Sequence, residues 1–153
     1  MIQPIVIFGA SGHAKVIVDI LEKMQTYRVL GFYDTYKPKG TELYNYTVLG
    51  NDQALAESWQ DHMQYIIGIG DNFTRETVVT ALNNILPKPN AAAIAIHPRS
   101  TVARGAVIGA GTVLMAGSII NSDVQIGQHC IINTNSGVDH DCQIQDYSHI
   151  APG

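Results

Sequence analysis

Charge is scarce in this chain. Only 14% of its 153 residues are Asp, Glu, Lys or Arg, with 9 basic against 13 acidic side chains, a net charge of -4 and a pI near 5.8. So few cations offer no basic footprint for nucleic acid, which is excluded as a partner. Cysteine is limited to Cys130 and Cys142, both at small inward positions of the repeat described below. They are expected as packed thiols, not as ligands, nucleophiles or a disulfide pair. No apolar run approaches the length that crosses a bilayer, and the first residues lack the basic segment and cleavage site of a secretory signal. A cytoplasmic protein with no membrane partner is the expectation. Apolar residues still make up 46%, so the chain reads as globular, not disordered. Its length suits one ordinary domain or two small ones.

What the chain has in abundance is a period. Stepping by six from Ile96 meets Val102, Ile108, Leu114, Ile120, Ile126, Ile132, Val138, Ile144 and Ile150, all aliphatic. Four residues after each of them comes a small side chain, from Ser100 and Ala106 to Cys142 and Ser148. Gly109, Asn121, Gly127 and Asn133 directly follow an aliphatic and read as turn residues. Neither a helical period nor strand alternation gives this pattern; a hexapeptide repeat does, and it signals a parallel β-helix. An ordinary β-sandwich would allow irregular spacing, which the unbroken register argues against. With three sides per turn, residues eighteen apart stack. Three outward stacks follow: Val113, Ile131 and His149; Val107, Gln125 and Gln143; Thr101, Ile119 and Gly137. The first is the most apolar and is expected to pack against a neighbouring subunit.

The N-terminal half reads differently. Pro4 to Phe8 is a short buried strand, Gly9-Ala10-Ser11-Gly12-His13-Ala14 a glycine turn, and Val16 to Leu21 a helix. Strand, glycine turn and helix aim backbone N–H groups at a phosphate, although this is not the full dinucleotide fingerprint. A second strand, Arg28 to Tyr33, ends in Asp34, about twenty residues on, where a ribose-binding acid is expected. The competing reading is that Gly9 and Gly12 permit a tight turn and Asp34 caps a strand. Tyr36 to Tyr46 reads as a loop, and Asn51-Asp52 as the cap of a short helix through Trp59. Tyr65 to Gly70 is a third strand, and Asp71-Asn72 caps a helix containing Arg75 and reaching about Asn84. Pro87-Lys88-Pro89-Asn90 breaks that helix. Ala91 to Ala95 is expected as one more strand before His97-Pro98 turns into the repeat. A Rossmann-like α/β domain over residues 1–95 and a β-helix over 96–153 follow. Ordinary parallel crossovers are right-handed, and no spacing here sets the hand of the coil.

The opening Ile7-Phe8-Gly9-Ala10-Ser11-Gly12-His13, the mid-chain Ile67-Gly68-Ile69-Gly70-Asp71-Asn72, the Ile96-His97-Pro98 entering the hexads and the stretch Asn133 to Cys142 together resemble the sugar O- and N-acyltransferases. These include sialic acid O-acetyltransferases and acetyl-CoA-dependent enzymes that N-acetylate UDP-4-amino-4,6-dideoxy sugars. The resemblance implies a left-handed β-helix, acetyl-CoA as co-substrate without a metal, a nucleotide-sugar substrate and a homotrimer. It implies His140 as general base, with Asp141 supporting it, and His149 and Gly153 at the acetyl-CoA site. It places the nucleotide sugar on Gly9, Ala10, Ser11, Gly12, Asp34, Gly70 and Asp71. Members continue for several more coils that supply much of the coenzyme A cleft, so the β-helix ending at Gly153 is expected to be incomplete.

The chemistry can be weighed on the residues themselves. Transfer to a sugar amine needs a base near neutral pH, and an unperturbed His titrates at about 6.5. His140 lies between Asp139 and Asp141, either of which could orient it; the bland alternative is a solvated corner histidine. His97 and His129 are expected at corners with no role. A side of the coil puts His140 and His149 on the order of 15 Å apart within one chain, so a shared site would draw them from adjacent subunits. Acetylation of an amino-dideoxy sugar in bacterial glycan biosynthesis is the leading reading, with a sugar O-acetyltransferase beside it. A γ-carbonic-anhydrase-like metal site built on His129, His140 and His149 is a further alternative, though without compact ligand spacing. A non-catalytic nucleotide-sugar-binding protein is another.

Overall fold

The computed structural model describes residues 2–87 and 91–153. The first unit is a five-stranded sheet of order β3-β4-β2-β1-β5. Its elements are β1 (Gln3–Phe8), α1 (Gly12–Met24), β2 (Tyr27–Tyr33), β3 (Glu42–Leu43), β4 (Tyr46–Gly50), α2 (Asp52–Ser58), β5 (Gln64–Ile67) and α3 (Asn72–Ile85). All pairings are parallel except β3 with β4. Alternation along β1 explains why the sheet is covered on both faces. Ile5 and Ile7 join the cluster under α1, whereas Val6 and Phe8 join the cluster with Leu55 of α2 and Val79 and Leu82 of α3.

Two expectations need correction here. The stretch Tyr36 to Tyr46 is not all loop: β3 and β4 form a hairpin on Tyr44 and Asn45, with φ of 51° and 63°. Positive φ at both central residues is the geometry that matches strand twist, and Asn tolerates it well. Nor is Ala91 to Ala95 a strand of the sheet. Ala92 makes a single parallel bridge to Tyr65, and Ala95 already belongs to the β-helix. The breaker Pro87-Lys88-Pro89-Asn90 falls largely outside the described residues; α3 ends at Ile85 with Leu86 as its C-cap. Asn51 caps α2 through Ala54 N and Asp71 caps α3 through Thr74 N, as their sequence positions suggest.

From Ala95 the chain becomes a left-handed parallel β-helix of two-residue strands. They are β6 (Ala95–Ile96), β7 (Thr101–Val102), β8 (Val107–Ile108), β9 (Val113–Leu114) and β10 (Ile119–Ile120). There follow β11 (Gln125–Ile126), β12 (Ile131–Ile132), β13 (Gly137–Val138), β14 (Gln143–Ile144) and β15 (His149–Ile150). They stack into three sheets with an eighteen-residue register, for example Ile119 against Thr101 and Gly137. Leu114, Ile120, Ile126, Ile132 and Val138 fill the interior with Val124 and Cys130. Val102, expected inside, is 40% exposed because its coil is stacked on one side only.

The corners obey a rule of their own. Left-handed φ recurs at Gly105, Gly111, Gly117, Asp123, His129, Asn135, Asp141, Tyr147 and Gly153, three residues after each aliphatic from Val102 to Ile150. The turn-forming position is therefore not the Gly or Asn directly after the aliphatic. Where glycine stands at a corner, the side chain eighteen residues on lies across it: a Cβ on Gly111 would collide with the His129 ring.

The apolar outward stack is also corrected. Val113 and Ile131 are each 1% exposed and belong to the cluster that contains Ile17 and Leu21 of α1 together with Met115. The face expected to meet another subunit is covered by the chain's own first unit. On the other faces, Val107 is 53% and Ile119 48% exposed.

Candidate active site

The glycine turn is held from two sides. Gly9 has φ of 96°, its N–H donates to the Tyr33 carbonyl (2.7 Å), and an added Cβ would sit 2.8 Å from the Ile69 side chain, so no side chain fits. Asp34 anchors the turn by accepting from the Ala10 N–H at 2.8 Å, while its other oxygen accepts from Tyr36 and Lys37 N–H at 2.8 and 2.9 Å. Partial burial would raise this carboxyl, but the backbone donors of Lys37, Tyr36 and Ala10 outweigh it and hold it below its ordinary value. Ser11 is the N-cap of α1 without a side-chain capping bond, so its hydroxyl is not committed to the helix. Gly9, Ser11 and Asp34 line one cavity of about 470 Å³ with Tyr36, Lys37 and Phe73. Tyr36 is 93% and Phe73 77% exposed, which gives the cavity two aromatic faces at its rim.

Gly70 and Asp71 do something else. Asp71 is engaged by the hydroxyl and N–H of Thr74, which hold its carboxyl below the ordinary value. Gly70 faces His13 of α1 and leads into the junction between the sheet and the β-helix. At that junction lies Arg75, 1% exposed. Its Nε donates to the His129 carbonyl (2.8 Å). One terminal nitrogen donates to the carbonyls of Ile69 (3.2 Å) and Gly70 (2.9 Å), and the other to Asn72 Oδ1 and the Tyr147 carbonyl, both at 2.8 Å.

Three histidines surround this cation. His129 stacks on Tyr147 (5.6 Å between centroids) and on Tyr65 (6.4 Å). Burial, then Arg75, push its pKa down to about 4. His13 is pushed to about 4 by burial, Arg75 and His149. Nε2 of His13 and Nδ1 of His129 are buried with no hydrogen-bond partner. His149 is lowered by burial and Arg75, against a backbone hydrogen bond with Gly70. The Asn133 amide nitrogen is 2.9 Å from His149 Nε2, and its oxygen accepts from Thr134 N–H at 2.7 Å. That second bond fixes the amide, so its nitrogen donates and His149 Nε2 is the acceptor. Gly153, with φ of 87°, donates to the Thr134 carbonyl (3.0 Å).

His140 and Asp141 occupy the corner between β13 and β14, well exposed at 68% and 75% of their side chains. Nδ1 of His140 is 2.6 Å from Asp141 Oδ2. Asp139 accepts from the His140 backbone N–H (2.8 Å) and from Asn121 Nδ2 (3.0 Å), so it braces the corner and not the ring. The Asp141 hydrogen bond first, then the Asp139 and Asp141 charges, raise the His140 pKa above its ordinary value. With Nδ1–H donated to a carboxylate, Nε2 is the free basic nitrogen facing solvent.

The expected site residues thus fall into three groups: Gly9, Ser11 and Asp34 on the cavity, Gly70 and His149 at the junction, and His140 with Asp141 on a separate corner. Ala10 serves the loop through its N–H, Asp71 caps α3, and a Cβ on Gly12 would meet open space. Within one chain His129, His140 and His149 do not converge as the metal alternative would need: His129 is stacked between tyrosines, while His140 and His149 have separate partners. Among the described residues no three His, Cys, Asp or Glu side chains are grouped to hold a metal. His129 and His97 do sit at turns, but both are buried, at 3% and 6% exposure. Sequence reasoning missed His13 and Arg75. A cation in the first turn of α3, where the helix dipole disfavours it, was the available signal.

A glycine-turn α/β sheet packed on a left-handed β-helix is the architecture of hexapeptide-repeat transferases that carry a nucleotide-binding-like domain. Comparison with known proteins agrees. The PglD N-terminal domain matches residues 4–82, and the bacterial transferase hexapeptide (six repeats) matches residues 105–140. The chain belongs to the PglD N-terminal domain family, a family of sugar acyltransferases. GDP-perosamine N-acetyltransferase of Escherichia coli O157:H7 is 40% identical over 57 residues, 37% of this chain and 26% of that protein. PerB from Caulobacter crescentus, solved with CoA and GDP-perosamine, is 31% identical with a TM-score of 0.85, covering 99% of this chain and 70% of its own. The acetyltransferase domain of PglB from Neisseria gonorrhoeae FA1090, solved with acetyl coenzyme A, is 26% identical with a TM-score of 0.86, covering 100% and 72%.

Proposed function

We propose that the protein is an acetyl-CoA-dependent N-acetyltransferase acting on the amino group of a nucleotide-linked amino-dideoxy sugar in bacterial glycan biosynthesis. The observation that carries this reading is the His140–Asp141 pair, at 2.6 Å, on an exposed corner of a chain similar to enzymes solved with CoA and GDP-perosamine. The N-terminal domain presents the nucleotide sugar, and the β-helix from Ala95 onward carries the chemistry.

The geometry supports the following assignment of roles. The cavity on Gly9, Ser11 and Asp34 takes the nucleotide, with Tyr36 and Phe73 at its mouth. The glycine turn (Gly9 to Gly12) and the loop of Gly70 and Asp71 lead the sugar toward the junction. Acetyl-CoA supplies the activated acyl group. Its thioester end belongs beside His149 and Gly153, where the Asn133-oriented ring offers a fixed polar edge. The sugar amine attacks the thioester carbonyl: a C–N bond forms, the C–S bond breaks, and the amine proton passes to Nε2 of His140, which later returns a proton to the leaving thiolate. Asp141 holds the ring and stabilises the imidazolium. Transfer is direct. Cys130 lies buried, with its thiol pushed up by burial, which is no environment for a nucleophile.

His140 and His149 come from different subunits of a homotrimer in the cytoplasm, with Val107 and Ile119 on the contacting faces. The direct experiment is incubation of the purified protein with acetyl-CoA and GDP- or UDP-linked 4-amino-4,6-dideoxy sugars, following free thiol and product mass. An amide product supports the reading; an ester product moves the protein to the O-acetyltransferases.

A further inference from the structure

Arg75 occupies a place that local physics disfavours twice. It lies in the first turn of α3, where the helix dipole opposes a cation, and it is almost fully buried. Among the described residues no carboxylate is hydrogen-bonded to it; its five N–H donors all go to neutral oxygens. Those oxygens belong to both units of the fold. Ile69, Gly70 and Asn72 are on the sugar-side loop, whereas His129 and Tyr147 are successive corners of one edge of the β-helix. Tyr147 is two residues before His149. When a sequence breaks a local rule this plainly, the compensation lies in tertiary geometry.

We propose that Arg75 is a positioning residue for the transfer reaction: holding the carbonyls of Gly70 and Tyr147 on one rigid fork, it sets the sugar-side loop and the His149 strand in fixed register across the junction. The proposal rests on the acetyltransferase reading above. Lysine could not replace it, because a compact ammonium has three donors and no planar fork, which leaves at least two of the five oxygens unpaired. The charge has a second effect on the same groups. His149 faces Arg75 from α3, His13 from α1, the Gly70 backbone and Asn133 of the adjacent coil. Arg75 is the charged neighbour common to His13, His129 and His149, and it favours the neutral ring in each.

The test compares the parent with Arg75→Lys and Arg75→Met, each with isotope-labelled histidines, by thermal unfolding, NMR titration and acetyl-transfer kinetics. Arg75→Lys keeps the charge and loses the fork. It should fold, keep His149 titrating near the parent value, and lose about 100-fold in kcat with KM changed far less, as expected for a misplacement on the order of 1 Å. Arg75→Met removes the charge, so His149 and His13 should titrate at higher pH. If Arg75→Met does not fold, Arg75→Lys carries the test through its kcat. A folded Arg75→Lys with lowered Tm but parental kcat would overturn the proposal, because Arg75 would then be a structural staple only. His149 titrating unchanged in a folded Arg75→Met would overturn it as well. If the parent transfers acetyl to no nucleotide sugar, the functional reading fails, while the histidine titrations still decide whether Arg75 governs His149.

Discussion

Asp34 closes the glycine turn on itself: its carboxylate accepts from the Ala10 N–H at 2.8 Å and, through the other oxygen, from Tyr36 and Lys37. The acid at the end of β2 is therefore part of the loop's architecture as well as of the cavity wall. Asp34→Asn keeps one acceptor oxygen and loses the charge. It should cost about 2 kcal/mol, a fall in Tm of about 4–8 °C, read by calorimetry at neutral pH. Because the folded carboxyl lies below its ordinary value, its stabilisation is present above pH ~4. It is lost as the pH falls through the folded value, so parent and variant should converge in acid.

The His140–Asp141 contact makes a pH prediction with a definite sign. Asp141 is the first cause of the raised His140 value, and a base must be deprotonated to act. In the parent, kcat/KM should rise with pH through a midpoint above about 6.5. Asp141→Asn removes the cause, so the midpoint should move down while the plateau rate falls. A midpoint unmoved by that change would mean that Asp141 does not govern His140.

Half-buried His13 and buried His129 make a prediction for stability in acid. His13 and His129 are held at about 4 in the folded protein, each by burial first, against about 6.5 unfolded. Between those values the unfolded chain binds more protons, so stability is fully present above about pH 6.5. It is lost toward pH 4 at up to about 1.4 kcal/mol per pH unit for each ring. His129→Gln should flatten the dependence of Tm on pH between 4 and 6.5, although it lowers Tm at pH 7 by loosening the stack on Tyr65 and Tyr147.

Ile131 and Ile119 stand at equivalent outward positions yet do different work. Ile131 is 1% exposed in the core shared with α1, and Ile119 is 48% exposed. Ile131→Ala should cost about 3 kcal/mol, and Ile131→Glu should unfasten the two units. Ile119→Glu should leave monomer stability nearly unchanged and reduce the sedimentation coefficient if the trimer closes on that face. An unchanged coefficient would remove that face from the interface.

The β-helix was legible because its interior is narrow: only aliphatic and small residues fit, so the period survives in Leu114, Ile120, Ile126 and Ile132 without exception. The caps Asn51 and Asp71 were legible because each answers a purely local need. The docking of β9 and β12 on α1 was not. An outward Val113 or Ile131 looks the same in sequence whether its partner is another subunit or a helix about a hundred residues upstream. The partners of Arg75 were equally opaque, since four of the five are backbone carbonyls, which leave no trace in side-chain identity. The corner rule at Gly105, Gly111 and Gly117 was visible in hindsight, but later corners replace glycine by Asp123, His129, Asn135 and Asp141. His140 and Asp141 were singled out by resemblance, whereas their 2.6 Å contact at a corner with Asp141 in the left-handed region was not legible.

The most direct measurement is the rate of amide formation from acetyl-CoA and a nucleotide-linked 4-amino-4,6-dideoxy sugar by the parent and by His140→Ala. The parent should yield one amide and one free coenzyme A thiol per turnover. His140→Ala, folded to the same Tm, should lose kcat by about 100- to 10,000-fold while KM for both substrates stays within a few fold. A His140→Ala protein that acetylates the sugar amine at the parental rate would contradict the assignment of the base.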